Sequence, residues 1–150
     1  FGRPKVANFT EEEQNFEIGK ALKLTEGTDV TIVATGHLVW EALEAAKVLN
    51  QNGISSEIIN IHTIKPLDEK AILDSVSKTK CIVTAEEHNY LGGLGESVSR
   101  TLAQHQPTPQ EFVATQDTFG ESGTPEQLME KYGLNAEAIV KAVKTVLKRK

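Results

Sequence analysis

Hydrophobic positions fall into short runs separated by segments with helical periodicity. Residues 1 to about 15 are polar, carry Pro4 and the acidic run Glu11-Glu12-Glu13, and read as a connecting arm. Gly19 to Leu24 is a strand candidate, Glu26-Gly27-Thr28-Asp29 a turn, and Val30 to Ala34 a buried strand. The tight turn predicts a hairpin, with the first strand antiparallel to the rest. After Thr35-Gly36 a helix runs from about Val39 to Asn52, with Val39, Leu43 and Ala46 on one stripe and Asn52-Gly53 as its stop. Glu57 to Ile61 is the next strand, and Asp68 caps a helix with Ala71, Ile72 and Val76 on one face. A strand from Cys81 to Ala85, a helix from Gly93 to about Ala103 and a strand from Glu111 to Ala114 follow.

Two helices close the chain. Thr124 and Gln127 stand at capping-box spacing with Pro125 at the first helical position, and Gly133 ends that helix. Asn135 opens the last, whose Ile139, Val143, Val146 and Leu147 form an apolar stripe. Short strands alternating with helices predict a mostly parallel sheet with helices on both faces.

Composition narrows the function classes. The 150 residues suit one domain, and hydrophobic and charged shares of 39% and 25% are those of a soluble globular protein. Mean hydropathy is −0.29, and no run reaches the roughly 20 apolar residues that span a bilayer. A net charge of −5 lacks the basic footprint of a nucleic-acid binder. Lys148, Arg149 and Lys150 are the one basic cluster, read as cations at a helix C-terminus. Cys81 is the single cysteine, which excludes an internal disulfide and points to a reducing, cytoplasmic setting. The opening Phe1-Gly2-Arg3-Pro4, with no initiator Met, reads as the middle of something, whether a fragment, a processed chain or a trimmed one.

Ligands of such sheets bind outside the carboxyl ends of the strands. Those ends carry Gly36-His37, His62-Thr63, Glu86-Glu87-His88 and Gln116-Asp117, which is three of the four histidines beside three carboxylates. Imidazole near carboxylate is the material of proton transfer, and equally of loop hydrogen bonding. Gly92-Gly93-Leu94-Gly95-Glu96 then opens a helix. Glycines there permit either close packing of helix on sheet or partner, or an anion on exposed amides. The stretch matches neither G-x-G-x-x-G nor a Walker loop, which favours packing. Ser97 and Ser99 lack a nucleophile elbow, and no Cys/His pair has zinc spacing. The Gly-Asp-Gly and distant Asn that hold a diphosphate through magnesium in thiamin enzymes are not in this sequence.

Several segments together resemble one family. Thr63-Ile64-Lys65-Pro66-Leu67-Asp68 is similar to the Thr-Ile-Lys/Arg-Pro-Leu-Asp segment of transketolase C-terminal domains. Ala85 to Glu96 is similar to that family's acidic-His-aromatic-Gly-Gly-x-Gly-Glu stretch. Thr35-Gly36 followed by Glu41-Ala42-Leu43, Gly123-x-Pro125 with Leu128, and the closing helix complete the ordered set.

The resemblance implies a three-layer α/β/α fold, a mostly parallel five-stranded mixed sheet with one antiparallel edge strand. It implies residues 1–15 as the end of a pyrimidine-binding domain plus linker, and 16–150 as the C-terminal domain. A transketolase moves two-carbon ketol units between sugar phosphates, as in the pentose phosphate pathway, with thiamin diphosphate and a divalent cation such as Mg. In that family the cofactor lies between two other domains from two subunits, so this segment holds no cofactor, metal or catalytic residue, and its role is structural and dimer-related. The expected partners are upstream thiamin-binding domains and a second or split subunit, with an exposed apolar patch where the missing domains dock. Arg3-Pro4 resembles the Arg-Pro whose arginine contacts the substrate phosphate, a task suited to the planar guanidinium fork. Glu86, Glu87, His88, Gly92, Gly93 and Gly95 are the remaining rim candidates, and His37 has no expected counterpart. Deoxyxylulose-phosphate synthase and 2-oxoacid dehydrogenase beta subunits share the domain type. Outside this family, a free-standing anion-binding or docking module is the competing reading.

Overall fold

The computed structural model describes residues 7–10 and 14–150. Five strands form one sheet: β1 (Leu22–Thr25), β2 (Val30–Ala34), β3 (Ser56–Asn60), β4 (Ile82–Asn89) and β5 (Gln110–Thr115). Their order is β1-β3-β2-β4-β5, with β1 antiparallel to β3 and every other pairing parallel. The helices are α1 (Leu38–Gln51), α2 (Glu69–Thr79), α3 (Leu94–His105), α4 (Pro125–Lys131) and α5 (Ala136–Val146), with a 3-10 turn over Leu147–Arg149. The expected three-layer α/β/α architecture is therefore present, as is its antiparallel edge strand. Among the described residues no helix is long and apolar enough to cross a membrane.

The predicted hairpin is corrected. β1 lies beside β3, with Leu22 opposite Asn60, and β2 is on the far side of β3. The reason is burial: all five residues of β2 are buried, so its flanks go to two long parallel neighbours and β1 is left at an edge. Gly27 makes the passage possible, because a Cβ there would fall 2.2 Å from the Ser56 carbonyl carbon. β1 also begins later than expected, at Leu22, and Gly19 sits in a turn against Pro66.

One face of the sheet is covered by α1 and α5. Val30, Ile32, Ile58, Val83 and Val113 meet Leu38, Ala42, Leu49, Ile139 and Val143 there. Leu43 and Ala46, expected on the α1 stripe, lie at its margin, and Ala42, Ala45 and Leu49 replace them. On the other face, Val33, Ile59 and Ile82 meet Ile72 and Val76 of α2 and Val98 and Leu102 of α3. Each fully buried aliphatic side chain contributes about 1.5–3 kcal/mol. Glu41 ties the first face together by accepting the Ala136 amide at 2.8 Å.

The cap residues read from the sequence act as such. Asp68 accepts the Ala71 amide at 3.1 Å with one oxygen and the Ala21 amide at 3.0 Å with the other, so it also anchors the entry to β1. Thr124 and Gln127 form the capping box, and Asn135 caps α5. The basic C-terminus departs from its expected role on the helix dipole. Arg149 donates to the Gln110 carbonyl at 2.9 Å and pairs with Glu111, and Lys150 reaches the Asp29 carbonyl at 3.1 Å.

At the amino end of the strands a charged cluster closes the α2 side. Glu57 is wholly buried, bonded to Lys78, with Lys23 at 3.6 Å. Burial alone would raise its carboxyl; Lys78, aided by Ser75, Glu26 and Lys23, outweighs that and holds it below the usual 4.5. A depressed carboxyl contributes stability in full above 4.5, and that contribution fades as pH falls through the lowered value. Glu57→Gln is therefore expected to cost about 1–2 kcal/mol at neutral pH and to flatten the acid limb of the stability profile. Urea unfolding at stepped pH checks this, and an equally steep acid limb in the variant would refute it.

Candidate functional site

The direction of the crossovers places the ligand crevice of this fold. The chain leaves β2 through α1 on one face, and returns from β3 to β4 through α2 on the other. The carboxyl ends of β2 and β4 thus flank a topological switch point. A hollow of about 290 Å³ lies there, lined by Thr35, Gly36, Ile64, Glu87, His88 and Gly92 among others.

Glu86 determines the chemistry of this hollow. β4 runs on to Asn89, beyond the expected stop at Ala85, so Glu86, Glu87 and His88 are strand residues. Alternation along the strand turns Glu86 inward, where it is 1% exposed. Its two oxygens accept the amides of Leu94 and Gly95 at 2.7 and 2.8 Å. A carboxylate on the first amides of a helix is a charge-assisted cap at the positive end of the dipole. The glycines serve that contact: a Cβ on Gly93 would lie 2.1 Å from the Glu86 carboxylate, and one on Gly95 would strike the Phe112 ring at 2.4 Å. Glu96 turns back to accept the Gly92 amide at 2.8 Å. Three amides of the glycine stretch, those of Gly92, Leu94 and Gly95, are thereby taken up by the protein's own carboxylates.

Each of the three rim histidines has its own surroundings. His88 bonds the Asn89 carbonyl at 3.1 Å, and His62 sits against Thr63 at 3.2 Å under the edge of Phe16. His37 holds the N-cap position of α1 without a side-chain cap bond. None of the three bonds a carboxylate among the described residues. Glu87, exposed, leans over Gly36, and Asp117 accepts from Asn89 at 2.8 Å. The rim histidines and carboxylates thus share cavity walls, His37 with Glu87 and His88 with Glu86 and Glu87, without a hydrogen bond between them. Sequence reasoning named Glu86 as a rim residue and missed its inward turn, for which its place directly after an apolar strand was the available signal. It also missed the second bond of Asp68, which nothing local announces. Arg3, the candidate phosphate ligand, lies outside the described residues.

Thiamin diphosphate, the cofactor implied by the resemblance, requires amides or cations for its diphosphate and oxygen ligands for its metal. The described residues do not fit it. Glu86 occupies the helix amides, Glu87 adds negative charge, and like charges at about 4 Å repel by about 1 kcal/mol in water and more when shielded. Among the described residues no group of three or more His, Cys, Asp or Glu is placed to hold a metal. Glu86→Gln keeps the shape but sets an NH2 group against one amide. It is expected to cost about 1.5–3 kcal/mol, read by urea unfolding, and an unchanged midpoint would remove Glu86 from this role.

Comparison with known proteins bears on the whole chain. The family described as "Transketolase, C-terminal domain" matches residues 19–139. A 6-deoxy-6-sulfo-D-fructose transketolase subunit of Clostridium sp. (strain MSTE9) is 47% identical over 148 residues, 99% of this chain and 46% of that protein. A putative transketolase C-terminal section of Methanocaldococcus jannaschii is 42% identical over 140 residues, 93% of this chain and 43% of that protein. Among solved structures, a split-gene transketolase in an inactive beta4 tetramer superposes with a TM-score of 0.95 at 43% identity, covering 98% of this chain and 48% of that one. The chain spans about half the length of each of these three. With its fold, its capped glycine stretch and these matches in agreement, the chain belongs to the transketolase C-terminal domain family.

Proposed function

We propose that this chain is the C-terminal portion of a thiamin diphosphate-dependent transketolase, working in the cytoplasm as part of an assembled enzyme that moves two-carbon ketol units between sugar phosphates. The observation that carries the reading is the near-complete superposition on a split-gene transketolase subunit. In the proposed enzyme thiamin diphosphate and its divalent cation belong to upstream domains and a partner subunit, and this domain supplies a rigid docking body. Residues 1–15 close the preceding pyrimidine-binding domain and link it to the body. Arg3 binds the phosphate of the sugar substrate through its guanidinium fork.

The features that make the domain a scaffold are its own. Glu86 locks α3 to β4, and Gly93 and Gly95 allow the close approach. Ile64, Leu91 and Phe119 stand exposed on the loops after β3, β4 and β5. They supply apolar area at the carboxyl rim for a neighbouring domain or subunit.

The test is ketol transfer by the chain alone and mixed with the missing thiamin-binding region, given thiamin diphosphate, magnesium and a ketose/aldose phosphate pair. Activity is expected in the mixture only, with Arg3→Ala raising KM by about tenfold for loss of one charge-assisted contact. A folded, associated mixture that instead condenses pyruvate with glyceraldehyde phosphate would transfer the assignment to deoxyxylulose-phosphate synthase. A mixture inactive in both assays would overturn the enzymatic reading.

A further inference from the structure

Away from the glycine stretch, helix α4 is poorly seated. None of its seven residues is buried, although Leu128 and Met129 carry its apolar side. Two cavities flank it, of about 490 and 620 Å³, and both touch Pro125 and Met129. The smaller runs between α4 and the start of α1, where Trp40, Met129, Leu134 and Ala7 form the apolar wall and Glu41, Glu126 and Glu130 the polar one, with the His37 imidazole on the edge it shares with the larger cavity. The larger continues past Met129 towards Glu87. No Lys or Arg lines either cavity. Glu41 is engaged with the Ala136 amide, whereas Glu126 and Glu130 are exposed and have no cationic partner among the described residues.

We propose that this groove is a docking site for a basic amphipathic polypeptide segment. Apolar side chains of the segment enter between Trp40, Met129 and Leu134, and its Lys or Arg side chains lie against Glu126 and Glu130. Charge complementarity selects this occupant. A groove walled by carboxylates repels nucleic acid and phosphorylated metabolites, and its aromatic and thioether wall suits the side chains of a helix laid into a groove. A second copy of this chain fits poorly: its net charge is −5, Arg149 is held on β5 and Lys150 on Asp29, and the apolar stripe of α5 is buried. The inference stands apart from the thiamin assignment, since it uses only the walls of this groove.

Trp40 is the one tryptophan of the chain, so its emission reports on the groove directly. The probe is a tryptophan-free Leu/Lys amphipathic peptide, with its Leu/Glu counterpart as control. A saturable blue shift of Trp40 emission is expected with the basic peptide and none with the acidic one. Replacing both Glu126 and Glu130 by Gln should weaken binding by roughly tenfold, as loss of two surface ion pairs does, and Asp74→Asn, on α2 across the sheet from the groove and paired with Lys70, should change it by less than about twofold. Equal response to both peptides, or equal affinity in the Glu126/Glu130 variant with its helix content retained, overturns the proposal. So does a Trp40 shift that follows chain concentration and ignores the peptide, which would assign the groove to a second copy.

Discussion

Strand β2 has to be dry on both sides, and most of the architecture follows from that. A strand with no polar face requires a helix layer above and another below. It also requires hydrogen-bonded neighbours on both edges, which β3 and β4 provide. Because those neighbours are reached by crossovers on opposite faces, the loops after β2 and β4 part from one another, and a hollow opens between them. The one polar side chain inside the strand, Thr31, is accommodated by the hydroxyls of Ser75 and Thr79, each at 2.6 Å. The cover on the α2 side therefore carries its own hydrogen-bond lock.

In many α/β proteins that hollow is a ligand site, because helix amides face it. Here a carboxylate has taken their place. Glu86 satisfies the start of α3 from within the sheet, so the helix dipole, which elsewhere draws phosphates, is spent on holding β4 and α3 in register. The glycines that resemble a phosphate loop are small for steric reasons: the carboxylate and the Phe112 ring stand where Cβ atoms would go. A fold associated with binding is thereby turned into a stiff body, in keeping with a domain whose relatives are about twice its length.

Much of this was legible in the chain itself. Element type followed from periodicity, and Asp68, Thr124, Gln127 and Asn135 gave the helix starts because capping is chemistry between near neighbours in sequence. The antiparallel sense of β1 could be anticipated, whereas its partner could not, since pairing depends on which strands need burial on both edges. The inward turn of Glu86 was hidden for a related reason. Its partners are amides eight and nine residues away, in a loop whose course depends on packing. Lys148 to Lys150 looked like a helix-terminal charge cluster, and only the position of β5 beside α5 reveals that Arg149 belongs to the strand.

That last contact bears on how such a sheet avoids pairing with copies of itself. Open sheets expose two edges to aggregation by strand addition. At β5 the outward Gln110 carbonyl is already engaged by Arg149, so an incoming strand meets a guanidinium where it needs a free acceptor. At β1 the ladder is interrupted between Lys23 and Thr25, and Lys23 and Glu26 put charge along the margin. With both borders blunted, self-stacking of sheets is disfavoured, and association is left to the loops and grooves, where side chains can choose the partner.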